Sequence, residues 1–202
     1  MTYQEINNEL GTIAEKSIKI ASQLNEQLTK NMQQFLGEKL AEENSRIDQI
    51  AKAELKEMTD KAQEKLNTGL EEIQKELDSR YFADINVNQA AELEMVAKSD
   101  ITFDEIKAYF RKFSGNHTAL RRLEKLAISQ GYIVRGCSYT KEIEFLERFK
   151  NTAQSLVKAI PTGELTRLRV AINYLNGKIQ EYETFSNQEV QVMRGAQGTA
   201  NY

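Results

Sequence analysis

The chain has 202 residues, of which 40% are apolar and 28% are charged, and its formal net charge is −3. This composition excludes an intrinsically disordered chain, and the small net charge does not indicate a nucleic acid or an acidic substrate as partner. One proline and ten glycines leave few positions at which a helix must end.

Three features of the sequence bear on the protein's cellular location and on the redox state of its cysteine. The N-terminal residues have no basic region followed by an apolar stretch, so no signal peptide is predicted. No apolar run approaches the roughly 20 residues that a membrane span needs. Cys137 is the only cysteine, which excludes an intramolecular disulfide and a cysteine-based zinc site. We therefore expect a cytoplasmic protein without membrane contact.

Residues 1–80 are predicted to form long helices. Of the sixteen Phe and Tyr residues only Tyr3 and Phe35 precede residue 81, and small apolar residues recur there every three or four positions. Gly37 is the best candidate for a bend. The recurring apolar residues form a stripe that is too narrow to stabilise a lone helix. Residues 1–80, a coiled-coil-like arm, must therefore pair with another copy or with the chain's own C-terminal helices. The predicted oligomerisation seam comprises Leu24, Leu28, Met32, Leu55, Met58, Leu66, Leu70 and Leu77, and replacing Leu66 and Leu70 by aspartate is predicted to abolish association.

Residues 81–101 are predicted as a transition and residues 102–185 as a compact helical domain. Thr102 and Glu105 form a capping box at the start of one helix, and Asn116 can cap the next. An irregular segment at 132–139 leads to a helical hairpin that turns at Pro161–Gly163. Residues 186–202 are predicted to be a flexible tail. The fold class is therefore all-α, with long N-terminal coiled-coil-like helices and a small C-terminal helical bundle.

The segment 102–131 is basic within an otherwise acidic or neutral chain. It is predicted to form two helices joined by a short turn, which is also the arrangement of a helix-turn-helix DNA reader. Its second helix offers few side chains that read bases, and an anionic protein partner explains the charge as well. The residues predicted to contact an anion or nucleic acid are Lys107, Arg111, Lys112, Arg121, Arg122 and Lys125.

No group of residues in the sequence indicates catalysis. His117 is the only histidine, in the first turn of a predicted helix, where an exposed polar residue is common. Cys137 follows Arg135, whose charge could lower the thiol pKa, but a small, partly buried thiol is the better interpretation. Carboxylates such as Glu142 and Glu144 fit a solvated helix face. We expect no enzyme activity, no catalytic, cofactor-binding or metal-binding residues, no cofactor and no small-molecule substrate.

Two stretches, Asp100–Ile106 and Lys112–Leu123, carry a family resemblance. They resemble a segment of small helical proteins encoded among the virion-structural genes of phages and prophages of low-GC Gram-positive bacteria. The resemblance implies a virion structural or assembly role, self-association and no catalytic residues. It also implies a location in the host cytoplasm or in the virion.

Two functions follow from these patterns. The first is a non-enzymatic structural or assembly protein, which acts through helix-mediated self-association or docking onto other virion proteins. The alternative is a DNA-binding regulator that uses the unit at 102–131. The two are distinguished by oligomer mass and by salt-dependent retention on DNA.

Overall fold

The computed structural model describes residues 1–194, which form seven α-helices, one short 3-10 helix and two three-residue strands. The prediction of an all-α chain is confirmed, because the two strands form only one small sheet. The elements are α1 (Tyr3–Gln34), α2 (Gly37–Tyr81), α3 (Val87–Lys98), α4 (Phe103–Lys112), α5 (His117–Ser129), β1 (Ile133–Arg135), α6 (Tyr139–Ala159), the 3-10 helix Ile160–Thr162, α7 (Leu165–Ser186) and β2 (Gln191–Met193).

The chain divides into two compact units, each built from distant parts of the sequence. Unit 1 comprises residues 1–73 and 147–180, and unit 2 comprises residues 74–146 with the described residues from 181 onward. This division differs from the predicted arm (1–80), transition (81–101) and helical domain (102–185), because residues 147–180 belong with the N-terminal helices. The arm therefore packs with C-terminal helices of its own chain.

Local interactions define both ends of α1. The Glu5 amide donates to the Thr2 hydroxyl at 3.2 Å, and the Thr2 amide donates to the Glu5 carboxylate at 2.7 Å, which forms a capping box. The helix ends before Phe35, and α2 begins at Gly37, whose φ of +56° suits glycine. The bend predicted at Gly37 is confirmed, in the form of a complete break between two helices.

In unit 1, α1 and α2 form an antiparallel pair. Successively later residues of α1 meet successively earlier residues of α2, which is the signature of an antiparallel register. Side-chain polar contacts fix this register along the whole length of α1. They join the Met1 amino group to Glu72 at 2.8 Å, Glu9 to Lys65 at 3.3 Å and Asn31 to Asn44 at 3.0 Å.

The later helices complete a four-helix bundle in unit 1. The Tyr3 ring packs edge-on against Phe149 of α6 at a centroid distance of 4.7 Å, and Asn7 donates to Asn176 of α7 at 2.7 Å. The turn between α6 and α7 meets α1, because a Cβ on Gly163 would lie 2.4 Å from the Ala21 Cβ. The fully buried side chains of this core include Ile6, Leu10, Ala14, Ala62, Leu66, Phe149, Ala153, Leu156, Ile160, Leu168 and Leu175.

Past the α6–α7 turn, α1 and α2 continue as a two-helix hairpin. The turn contacts α1 at Ser17 and Ala21, so the residues of α1 after this point extend beyond the end of the bundle. Of residues 22–50, only Asn31 is buried. We refer to residues 22–50 as the hairpin extension. Among the described residues, no third helix of unit 1 covers the apolar side chains of its two helical segments.

Unit 2 packs α3, α4 and α5 around one apolar core together with a small sheet. The predicted capping box at Thr102 and Glu105 and the predicted cap at Asn116 are both confirmed; Asn116 accepts from the Ala119 amide at 3.0 Å. The core consists of Leu93, Val96, Ile106, Phe110, Phe113, Ala119, Leu120, Leu123, Ala127, Val134 and Val192.

The small sheet corrects two predictions. β1 lies inside the segment 132–139 that was expected to be irregular, and β2 lies in the predicted flexible tail. The strands pair antiparallel, with Val134 opposite Val192, and both of these side chains enter the core. Three residues are too few for an alternating pattern to be recognised in the sequence. Of the predicted tail, residues 195–202 lie outside the described residues.

Candidate functional site

The predicted oligomerisation seam divides into buried and accessible parts. Leu55, Leu66 and Leu77 are buried within the chain, at 7%, 0% and 2% exposure. Replacing Leu66 by aspartate would therefore disrupt the bundle core and could not serve as a test of association. The half-buried members are Met58, Leu70, Leu24 and Leu28, whereas Met32 is 68% exposed.

The accessible part of the seam lies on the hairpin extension. The half-buried Leu24 and Leu28 and the exposed Met32 are in its first helix. Leu36 and Ile50 are also exposed, at 86% and 48%. Residues 22–50 contain five acidic and three basic side chains, so neither sign of charge dominates. These apolar side chains make the hairpin extension the candidate interaction surface of unit 1.

The six predicted anion contacts do not form one surface. Lys112 is paired with Glu92. Arg121 is held by unit 2 itself, because its Nε donates to the Tyr81 carbonyl at 3.0 Å and its guanidinium lies 3.9 Å from the Phe82 ring centroid. Arg121 is therefore used as a structural residue.

The other four basic residues line two different cavities. Lys107 and Arg111 of α4 line a cavity of about 620 Å³, which we call the basic cavity. Arg122 and Lys125 of α5 border a second, largely apolar cavity of about 350 Å³ against α3. All four side chains are exposed.

The basic cavity combines charged and apolar residues of unit 2. Arg80, Lys107 and Arg111 supply three permanent positive charges, and Glu189 is the acidic residue among those that line it. The apolar part of its lining includes Phe110, Leu120 and Val192, while Ser114, Gln188 and Gln191 add polar groups. The cavity is large enough for a small organic molecule.

A buried charged cluster lies beside this cavity. Glu142 is 1% exposed, its carboxylate is paired with the Arg80 guanidinium, and it accepts a hydrogen bond from the Cys137 Sγ at 3.0 Å. The Tyr81 ring lies 5.1 Å from the Arg80 guanidinium. Burial lowers the pKa of Arg80 but Glu142 raises it, and the net effect is a raised pKa, so Arg80 remains charged.

The same cluster suppresses ionisation of its thiol and phenol groups. Burial raises the pKa of Cys137 to about 12, and the hydrogen bond to Glu142 acts in the same direction. This reverses the lowered pKa that Arg135 suggested in the sequence. Burial likewise raises the pKa of Tyr182 to about 12, and it also raises that of Tyr81. A thiol with so high a pKa is a poor nucleophile near neutral pH.

His117 is less accessible than the sequence suggested. It is half-buried, and its ring packs edge-on against Tyr81 at 5.3 Å. Burial lowers the pKa of His117, and the Arg80 charge lowers it further, so the imidazole is neutral at pH 7. Among the residues described, neither Nδ1 of His117 nor Nε of Arg80 has a hydrogen-bond partner.

Two carboxylates are buried that the sequence patterns did not predict as buried. Glu142 was expected on a solvated face, and Glu124, which is 3% exposed, accepts from the Ser138 hydroxyl at 2.7 Å. A signal for both exists in the sequence. Glu124 shares a helix face with Leu120 and Ala127, and Glu142 precedes Phe145 and Leu146 by three and four positions. An acidic residue inside an apolar stripe is the pattern that marks a buried, paired carboxylate.

Known proteins give no guide to this site. Comparison of the chain with protein-family models, with curated proteins and with solved structures yields no match. Within residues 1–194, no three or more His, Cys, Asp and Glu side chains come together in a way that could hold a metal ion. None of the described helices combines the length and apolar character needed to cross a membrane.

Proposed function

We propose that the chain is a non-enzymatic structural or assembly protein that associates with a second copy of itself through the hairpin extension. The observation that carries this proposal is the uncovered pair of helices at residues 22–50. Within that segment one residue is buried, whereas Met32 and Leu36 are largely exposed. Helices with exposed apolar stripes gain stability when further helices cover them.

An identical hairpin is the partner that best fits this surface. Two copies would bring four helices together, which is the arrangement that unit 1 already forms from α1, α2, α6 and α7. The mixture of five acidic and three basic side chains allows attraction between copies, whereas a single sign of charge would repel them. A two-fold dimer is also the commonest form of homo-oligomer.

The setting we propose is the one that the resemblance implies, a virion structural or capsid-assembly component in the host cytoplasm or the virion. In that setting the hairpin extension could also receive another virion protein. The coiled-coil character of the N-terminal helices belongs to the same proposal. The thiol with a raised pKa and the carboxylate paired with Arg80 support a non-enzymatic role, because both groups are held in unreactive states.

The DNA-binding alternative receives less support. A helix that reads the major groove presents several side chains from one face. In α5, Arg121 is held by Tyr81 and Phe82, while Leu120 and Leu123 are buried in the core. Arg122 and Lys125 remain exposed, but they border a different cavity from Lys107 and Arg111.

Light scattering on a sizing column tests self-association directly. We expect the unmodified protein to have a dimeric or larger mass that depends on concentration, and Leu36→Asp and Ile50→Asp to reduce it to a monomer. Val170→Asp is the matched control, because Val170 is exposed to the same 48% as Ile50 but lies on α7. A monomeric unmodified protein at about 100 µM, roughly a hundredfold above a micromolar dissociation constant, would contradict the proposal.

A further inference from the structure

The basic cavity has the charge of a binding site for an anion. Three permanently positive side chains, Arg80, Lys107 and Arg111, line it together with the carboxylate of Glu189. Among the described residues, Lys107 and Arg111 form no ion pair. Both are exposed on one face of α4, separated by a single helical turn. A ligand with negative charge would be attracted to this cavity.

Unsatisfied polar atoms around the cavity point in the same direction. Arg80 uses its terminal nitrogen for Glu142, while its Nε has no partner among the described residues. The Nε group is a hydrogen-bond donor, and leaving a buried donor unpaired is costly. Nδ1 of His117 is also buried without a partner. Both residues line the cavity. An oxyanion bound there could accept a hydrogen bond from Arg80 and so pair one of these atoms.

The size and the remaining lining restrict the class of ligand. A volume of about 620 Å³ is several times that of a phosphate ion and falls in the range of sites for small organic molecules. Phe110, Leu120 and Val192 provide an apolar wall, and Gln188 and Gln191 provide amide groups for a polar ring. We propose that the basic cavity binds a small phosphate ester of about nucleotide size, with its phosphate on Arg80, Lys107 and Arg111 and its ring on the apolar wall.

The loop beside this cavity leaves no room for a side chain at position 136. Gly136 has a φ of +87°, and a Cβ there would lie 2.0 Å from the Glu189 carbonyl oxygen. The Cys137 amide donates to the Gln188 carbonyl at 3.0 Å, and β1 and β2 pair next to this point. Gln188, Glu189 and Gln191 are therefore held at the cavity by backbone contacts, which reduces the ordering that ligand binding would require.

Isothermal titration calorimetry of the full chain tests the proposal with two probes, inorganic phosphate and adenosine monophosphate. We expect saturable binding of the nucleotide, at least about tenfold tighter than binding of phosphate. Lys107→Gln and Arg111→Gln should each weaken nucleotide binding by about tenfold, because each removes a charge-assisted contact. Both side chains are exposed, so these variants should keep the fold, which circular dichroism checks.

Matched controls come from the neighbouring helix. Arg122→Gln and Lys125→Gln remove exposed charges outside the basic cavity, and we expect unchanged nucleotide affinity for both. Equal loss in all four variants would overturn the proposal, because it would indicate nonspecific attraction to net positive charge. Equal affinity for phosphate and nucleotide would overturn the ester assignment in favour of free phosphate. Absence of binding heat with both probes would also overturn the proposal.

Discussion

The carboxylate of Glu142 is paired with the guanidinium of Arg80, although 62 residues separate the two in the chain. Glu142 is 1% exposed on its side chain and Arg80 is 30% exposed, so the pair is shielded mainly at its acidic end. Cys137, Tyr81 and Tyr182 lie near it, and burial raises the pKa of each group, with Glu142 acting in the same direction and Arg80 against it. Arg80 also lines the basic cavity, so the pair links the buried Glu142 to one wall of that cavity.

Removing the basic partner of this pair should destabilise the protein. In Arg80→Met the Glu142 carboxylate would stay buried without its counter-charge, which typically costs about 3 kcal/mol or more. Urea denaturation followed by circular dichroism measures the change in the free energy of unfolding. Glu144→Gln is the control on the same helix, because its ion pair with Lys141 is about half exposed and should contribute little. Equal stability of the two variants would contradict a structural role for the pair.

The protein should lose stability in alkaline solution. The pKa of Cys137 rises from an ordinary 9.0 to about 12 on folding, and that of Tyr182 rises from 10.0 to about 12. A raised pKa means that the folded state holds its protons more tightly, so this stability is fully present below about pH 9 and is lost as the pH rises toward 12. Urea unfolding at pH 7, 8, 9 and 10 should show the decrease. In the double variant Cys137→Ser, Tyr182→Phe the decrease should be smaller; parallel curves would contradict this assignment.

The Cys137 thiol should react slowly in the folded protein. A pKa of about 12 in place of 9.0 lowers the thiolate fraction at pH 8 by about 1,000-fold, and only the thiolate is nucleophilic. We expect alkylation by iodoacetamide to be slower by up to this factor than in the same protein unfolded in urea. The unfolded chain is the internal control for reagent and pH. Similar rates in the two states would show that the thiol is neither buried nor held by Glu142.

Glycine at position 136 should be necessary for the β1–β2 sheet. Gly136→Ala places a side chain on backbone with a φ of +87° and brings its Cβ against the Glu189 carbonyl. We expect a loss of about 2 kcal/mol in the free energy of unfolding, in the range of strained backbone positions. Gly177→Ala is the control, because Gly177 lies inside α7 with nothing within 4 Å of an added Cβ. It should be neutral or stabilise by up to about 1 kcal/mol.

Local patterns along the chain predicted the helical character and several helix ends. The capping box of Thr102 with Glu105, the cap at Asn116 and the helix break at Gly37 were all predictable, because each depends on atoms within a few residues of one another. The all-α class followed from the same local patterns, since apolar spacing of three and four residues identifies a helix wherever its partner lies.

Which apolar and charged positions are buried depends on contacts between distant parts of the chain. Met32 and Leu66 both belong to the predicted seam, yet Met32 is 68% exposed and Leu66 is fully buried, because α6 and α7 cover one end of the α1–α2 pair and not the other. The same holds for Glu142, whose buried carboxylate is paired with Arg80. It also holds for β1 and β2, which form only because the fold brings two short segments together. Contacts between distant residues depend on how helices pack, and helical periodicity identifies an apolar face without identifying what covers it.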